Sequence, residues 1–217
     1  MTEDHDPEVL MGTSNAAVTT ARRLIINMAL ARAQPGAGSS PSFMHRRTAM
    51  QHFPDLRDVL QGIDWLAVGA VAARAYMPER ATQDLDILVR AAEADRVAAR
   101  LEAAGYVHTA ELGIPGAAFA RTGEPEVDVL FGDQPWLEEA LAGPGSDPAG
   151  LPVLALPYLI LMKLTAGRAR DIADVATMLG WADETALEAV RDVIDRYSPA
   201  DAPDLESLIY LGKRERE

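Results

Sequence analysis

The stretch from Trp65 to Val89 constrains this chain more than any other. An apolar run, Trp65-Leu-Ala-Val, enters Gly69 and continues as a helix-like segment, Ala70–Tyr76. A second apolar run then starts on two carboxylates, Asp84 and Asp86. Side chains at i and i+2 of a strand point to the same face, so these two carboxylates stand side by side. Like charges held that close repel unless a cation lies between them. Oxygen ligands at this spacing suit Mg²⁺, which takes one or two carboxylates together with substrate phosphates. The strand–Gly–helix turn just before them offers backbone N–H groups to an anion. A metal site and a phosphate site adjacent in sequence are what phosphoryl or nucleotidyl transfer requires.

At 217 residues and 48% apolar composition the chain can build a core and an appendage, or two small domains. Cysteine is absent, which excludes disulfides, zinc–thiolate sites and cysteine nucleophiles. The four histidines, His5, His45, His52 and His108, have no metal-ligand spacing. A net charge of −13 disfavours a broad nucleic-acid-binding surface. Lys163 and Lys213 are the only lysines beside many arginines, and the chain is rich in alanine, a composition that suggests a GC-rich bacterial source. No apolar run is long enough to span a membrane. Arg22-Arg23 before Leu24–Ala31 faintly resembles a twin-arginine export signal, but that run is short and holds Asn27, so the expected location is the cytoplasm.

Residues 1–43 read as a disordered extension, acidic at the start and closing on Gln34-Pro-Gly-Ala-Gly-Ser-Ser-Pro-Ser42. Met44 and Met50 are alternative starts. The spacing of Phe53, Leu56, Val59, Leu60 and Ile63 predicts a helix over Met50–Ile63. Strands are expected at Trp65–Val68, Asp84–Val89, Tyr106–Glu111, Ala117–Arg121, Glu126–Phe131 and Pro152–Ala155. Helices are expected at Ala91–Ala104 and Gln134–Leu141, and from Pro157 the pattern turns helical: Tyr158–Ala166, Ala169–Leu179 and Glu184–Arg196. The tail, Ser198–Glu217, opens Pro-rich and ends charged. The predicted fold is α/β (α+β), a mixed-sheet core over 44–156 with a C-terminal helical lobe over 157–217.

Four blocks in order carry a resemblance: Gly69-Ala70; Arg80-x-Thr82-x-Asp84-x-Asp86; Glu126-Val-Asp128-Val-Leu; and Lys163-Leu-x-Ala166-x-Arg168-x-Arg170-Asp171-x-x-Asp174. Together they resemble the minimal nucleotidyltransferase superfamily, with most likeness to AbiEii-like proteins of type IV toxin–antitoxin systems. The resemblance spans Phe53 to Leu179. It implies that Asp84 and Asp86 hold metal and the triphosphate, while Asp128 helps deprotonate an acceptor hydroxyl. It also implies that Arg80 and Thr82 shape the loop beneath the metal site, and that Lys163, Arg168 and Arg170 neutralise a triphosphate, with Asp171 orienting them or contacting the base.

The residues agree with it on physical grounds. Asp128 lies in an apolar strand, where a carboxylate is costly unless paired or metal-bound. With Asp84 and Asp86 it completes a three-carboxylate cluster of the kind that holds Mg²⁺ in in-line displacement. Gly69 allows close approach of backbone to phosphate. Ala70 departs from the serine or second glycine usual in the family and loses a hydroxyl bond to phosphate. If one helix runs through both segments, Lys163 and Arg170 share a face. Local pairing is the alternative: Arg168 with Asp171, and Arg170 with Asp174. A lone lysine in Leu159-Ile-Leu-Met-Lys-Leu164 either snorkels to solvent or has a reason to be there.

The expected activity is Mg²⁺-dependent transfer of a nucleoside monophosphate from an NTP to an acceptor hydroxyl on RNA, protein or a small molecule. A cognate antitoxin or toxin protein is the expected macromolecular partner. The rival reading, supported by Ala70, is a catalytically weak or inactive nucleotide-binding module of antitoxin type. A kinase-like phosphoryl transfer, which releases NDP, is a third. P-loop, Rossmann and Gly-x-Ser-x-Gly signatures are absent.

Overall fold

The computed structural model describes residues 7–36, 53–78 and 82–217, with side chains from residue 16 onward. Arg80, Met44 and Met50, with the start of the helix expected at Met50–Ile63, lie outside the described residues. The chain divides into two compact units, Ser39–Leu159 and a second made of Met1–Gly38 with Ile160–Glu217.

The first unit is built on a mixed sheet. Its strands are β1 (Trp65–Ala67), β2 (Asp84–Arg90), β3 (Val107–Glu111), β4 (Gly116–Ala120), β5 (Glu126–Gly132), β6 (Gly145–Ser146) and β7 (Pro152–Val153). Their spatial order is β3-β4-β5-β2-β1-β7-β6. β2 and β5 are parallel neighbours at the centre, while β2 pairs antiparallel with β1, and β4 antiparallel with β5. Both central strands are buried from their second residue almost throughout, and Leu85, Ile87, Leu88, Val89, Val127, Val129 and Leu130 supply that core. Near-continuous apolar runs of this kind belong to strands covered on both faces. Helices α2 (Gly69–Ala73), α3 (Ala94–Ala103) and α4 (Leu137–Ala142) connect them. The α/β class and every strand predicted from the sequence are present, and the short β6 is an addition.

Of the described part of the segment expected as a helix, residues 57–62 form turns. Its backbone bonds run from Leu60 N to Leu56 O and from Ile63 N to Leu60 O, one turn's worth. Leu56, Leu60 and Ile63 are buried, so the spacing identified their inward face.

The second unit is helical: α1 (Pro7–Arg32), α5 (Leu156–Ala166, which begins in the first unit), α6 (Ala169–Trp181), α7 (Glu184–Tyr197) and α8 (Ala202–Arg216). Helix α1 occupies residues 7–32 of the stretch read from the sequence as a disordered extension over 1–43. Its inward face holds Arg22, 2% exposed, and Ile26. Arg22 donates to Asp204 Oδ2 at 2.8 Å and to Leu164 O at 2.7 Å, and also to Asp201 Oδ1. A buried arginine in the middle of the inward stripe breaks its apolar periodicity, which is why the sequence conceals the helix. Arg22 and Arg23 belong to this helix, and among the described residues no helix is long and apolar enough to cross a membrane.

Helix α8 also went unpredicted. Pro203 sits in its first turn, where proline is tolerated, and Leu205, Leu208 and Ile209 form its buried stripe. Helices α6 and α8 cross backbone to backbone at Gly180 and Gly212, where a Cβ on either would overlap main-chain atoms of the other helix. Helices α5 and α6 are separate, broken at Gly167 with φ of 62°, so Lys163 and Arg170 do not share one continuous helical face.

Candidate metal centre

Parallel pairing of β2 and β5 sets Asp86 opposite Asp128 and Asp84 opposite Glu126. Period-two alternation puts all four carboxylates on one face of the sheet. Asp84, Asp86 and Asp128 each bring an oxygen to within 4.8 Å of the others. Asp84 is exposed at the strand start, while Asp86 and Asp128 are half-buried. The sequence spacing predicted this convergence for Asp84 and Asp86. The strand register supplies Asp128.

The Asp128 carboxyl is pushed above the usual carboxylate range, first by burial and then by the charges of Glu126 and Asp84. All three influences disfavour its negative form. The chemistry of the donor set therefore fits a hard divalent cation: oxygen-only ligands, close together, one of them costly to ionise unaided. Glu126 is the residue that sequence reasoning passed over. It stands two positions before Asp128 in the same strand, so the rule that paired Asp84 with Asp86 also pairs Glu126 with Asp128. Thr109 Oγ1, at a bulge in β3, lies 3.0 Å from Glu126 Oε1 and 3.1 Å from Ala118 O, and its single proton is available to either acceptor.

Gly69 borders the cluster. Its φ is 60°, and a Cβ built there would overlap the Asp86 carboxylate oxygen. Val68 N donates to Asp86 O at 2.9 Å, which fixes the two strands at this point. The glycine is needed twice over, for its left-handed backbone and for the space that the carboxylate occupies. Ala70 is buried in the first turn of α2. Thr82 Oγ1 donates to Asp84 Oδ1 at 2.9 Å and Gln83 N donates to the same oxygen at 3.1 Å. Thr82 thus orients a cluster carboxylate, a more specific task than backbone bonding.

The basic block belongs to the second unit. Lys163 is 4% exposed and does not snorkel: its Nζ donates to Asp171 Oδ1 at 3.0 Å and Asp174 Oδ2 at 2.8 Å. Asp171 accepts from Arg168 Nε at 2.6 Å, so one carboxylate holds a buried and an exposed cation together. The Arg168 side chain is 77% exposed. Arg170 is exposed on the next turn. The Arg168–Asp171 pairing expected from spacing is present, and Asp174 turns inward to Lys163.

No family model matches the chain, and no curated protein matches it. Two solved structures show distant likeness. The antibiotic-resistance factor ANT(2'')-Ia, in its solution structure, is similar over 78% of this chain and 89% of its own, at 16% identity and a TM-score of 0.41. Terminal uridylyl transferase 4 from Trypanosoma brucei, with bound GTP, is similar over 73% of this chain and 58% of its own, at 14% identity and a TM-score of 0.28. At those scores the likeness carries no weight of its own, and the functional reading rests on the residues of this chain.

Proposed function

We propose that this protein is a Mg²⁺-dependent nucleotidyltransferase, moving a nucleoside monophosphate from an NTP to an acceptor hydroxyl with release of pyrophosphate. The observation that carries the reading is the convergence of Asp84, Asp86 and Asp128 on two adjacent parallel strands. Asp84, Asp86 and Asp128 would hold the ion, and Mg²⁺ bound there supplies charge neutralisation and Lewis-acid polarisation of phosphoryl oxygens.

The chain's own groups have separable tasks. Asp128, with proton affinity raised by burial, Glu126 and Asp84, takes the proton of the acceptor hydroxyl at its carboxylate. The hydroxyl oxygen forms a bond to the α-phosphorus as the bond to the bridging oxygen of pyrophosphate breaks. Thr82 keeps Asp84 in place, and Gly69 admits the Asp86 carboxylate to its position. Gly69, Ala70, Arg80 and Thr82 line the nucleotide side in this reading. Arg168 and Arg170 are exposed, and the sequence resemblance gives them the task of neutralising the triphosphate, while Lys163 and Asp171 hold Arg168 in position.

The acceptor class (RNA, protein or small molecule), an AbiEii-like subfamily, a cognate toxin or antitoxin partner, a bacterial source and a cytoplasmic location extend the same proposal through the sequence resemblance. The test is incubation with α-labelled NTPs, Mg²⁺ and cell extract, followed through pyrophosphate release. Label transfer that disappears in Asp84→Asn and Asp128→Asn is the expected result. Release of NDP would replace this reading with phosphoryl transfer. NTP-dependent stabilisation without pyrophosphate release would favour the binding module that Ala70, with its missing hydroxyl, suggests.

A further inference from the structure

Helix α1 touches the one turn that carries the candidate phosphate-binding arginine, and it does so by two independent contacts. The first is polar. Arg22 Nη1 donates to Leu164 O in the last turn of α5, at 2.7 Å, while its other nitrogens bind Asp204 and Asp201 at the start of α8. The second is steric. Val18 lies against Gly167, so close that a Cβ built on that glycine would meet Val18 Cγ1 at 2.5 Å. Gly167 closes α5 by donating its N–H to Lys163 O at 3.0 Å, and Arg168 follows it directly. Residues 163 to 171 thus form one bonded unit: Lys163 to Asp171, Asp171 to Arg168, Gly167 to Lys163. Helix α1 meets this unit at Leu164 O and at Gly167.

We infer that α1 is a positioning element for the Gly167–Arg168 turn, acting through Val18 on Gly167 and through Arg22 on Leu164 O, so that triphosphate affinity depends on whether α1 is seated. The inference rests on the proposal that Arg168 meets the phosphates. The backbone at Gly167, with φ of 62°, is one that residues with a side chain rarely adopt. In this inference a shift of α1 is passed through Gly167 to Arg168, its neighbour in the chain. Arg22 satisfies three acceptors at once, which a lysine at that position, with one compact ammonium, does not.

The experiment uses the full chain with inorganic tripolyphosphate and Mg²⁺, with affinity read by calorimetry and folding by thermal melting. Arg168→Ala comes first, because an exposed side chain leaves the fold intact: it should weaken tripolyphosphate binding, and unchanged binding would remove both the assignment of Arg168 and the inference built on it. Gly167→Ala is then compared in the wild-type and Val18→Ala backgrounds. In the wild type the new Cβ pushes α1 off the turn, and binding should weaken roughly two- to thirtyfold, the range of coupling through packed contacts. In the Val18→Ala background the struck atom is gone, and most of that loss should vanish. Arg22→Lys should weaken binding in the same direction while melting as a folded protein. Equal losses for Gly167→Ala in both backgrounds would assign the effect to backbone strain and overturn the role of α1. A set of variants that lower the melting temperature while leaving tripolyphosphate affinity unchanged would overturn it as well, leaving α1 a purely structural helix.

Discussion

Both units bury matched charges, Arg74 with Asp147 in the sheet unit among them, but only the sheet unit also crowds carboxylates together. In the helical unit ionic groups are buried and matched: Arg22 with Asp201 and Asp204, and Lys163 with Asp171 and Asp174. In the sheet unit Asp84, Asp86 and Asp128 gather with Glu126 beside them, and the neighbouring charges that act on Asp128 are negative. Matched buried pairs are what a chain needs to stay folded once charges are inside. Crowded carboxylates are a cost to folding, seen in the raised proton affinity of Asp128, and such costs concentrate at functional sites. The contrast separates the same residue type, aspartate, into paired and crowded groups, and the proposed function assigns the site to the crowded ones.

The largest effect should come from breaking the matched side. Arg22→Ala takes the buried guanidinium from Asp201 and leaves Asp204 with only the half-exposed Arg23, and Lys163→Ala takes the buried ammonium from Asp171 and Asp174. Losing one partner of a buried pair costs about 3–5 kcal/mol, which at this chain length lowers the melting midpoint by roughly 6–20 °C. The apolar run around Lys163 suggests, from sequence alone, a charge the helix could lose freely. The pairing with Asp171 and Asp174 reverses that expectation. A melting curve for either variant that overlays the wild type would erase the distinction between paired and crowded charges.

Next in size is the crowded side. Asp86→Asn and Asp128→Asn should reduce pyrophosphate release by about 10²–10³, the scale of removing one group aimed at transition-state charge. The same substitutions should leave the melting temperature unchanged or raise it, since each removes a repulsion. Catalytic loss accompanied by unfolding would place these carboxylates with the structural pairs.

Mg²⁺ should act on the sheet unit in the opposite sense, stabilising the protein by about 2.7 kcal/mol at a hundredfold excess over its dissociation constant, with the shift absent in Asp128→Asn. Without metal, pH reports on the same group. The folded-state value of Asp128 is raised, so its contribution to stability is present below the unfolded value and is lost as pH rises through the folded one. Glu124 works the other way. Arg121 and then Tyr106 hold it below the usual carboxylate range, so its contribution is lost as pH falls through its folded value. Melting curves of Asp128→Asn and wild type should therefore diverge most on the alkaline side of the carboxylate range.

The smallest effect is expected for Ala70→Ser, which adds one hydroxyl beside the proposed phosphate position. It should raise turnover by roughly 0.5–1.5 kcal/mol of transition-state binding. An unchanged rate would leave phosphate contact to the backbone alone.

Legibility followed periodicity. The strands carrying Asp84, Asp86 and Asp128 were readable because apolar alternation and same-face spacing are local properties of the chain. Their register, which sets Asp86 beside Asp128 and brings Glu126 alongside Asp84, depends on pairing across some forty residues of intervening sequence and is written nowhere locally. Helix α1 was hidden for a related reason. Its inward stripe is interrupted by an arginine whose partners, Asp201 and Asp204, lie near the other end of the chain. Lys163 was correctly singled out as a residue needing a reason, but the reason, two inward aspartates on the following helix, requires the break at Gly167 that folds α6 back. Long-range partners turn apparent misfits into core.

The crossing of α6 and α8 has a consequence for how this sequence can change over generations. Gly180 and Gly212 are two hydrogens facing each other where other helix pairs place side chains. Neither can be exchanged first: any single replacement drives a methyl group into a neighbouring peptide, and no flexible side chain is there to yield. A compensating second change does not exist either, because the partner is already the smallest residue available. Both positions are therefore fixed points, and drift elsewhere in the helical unit has to proceed around them.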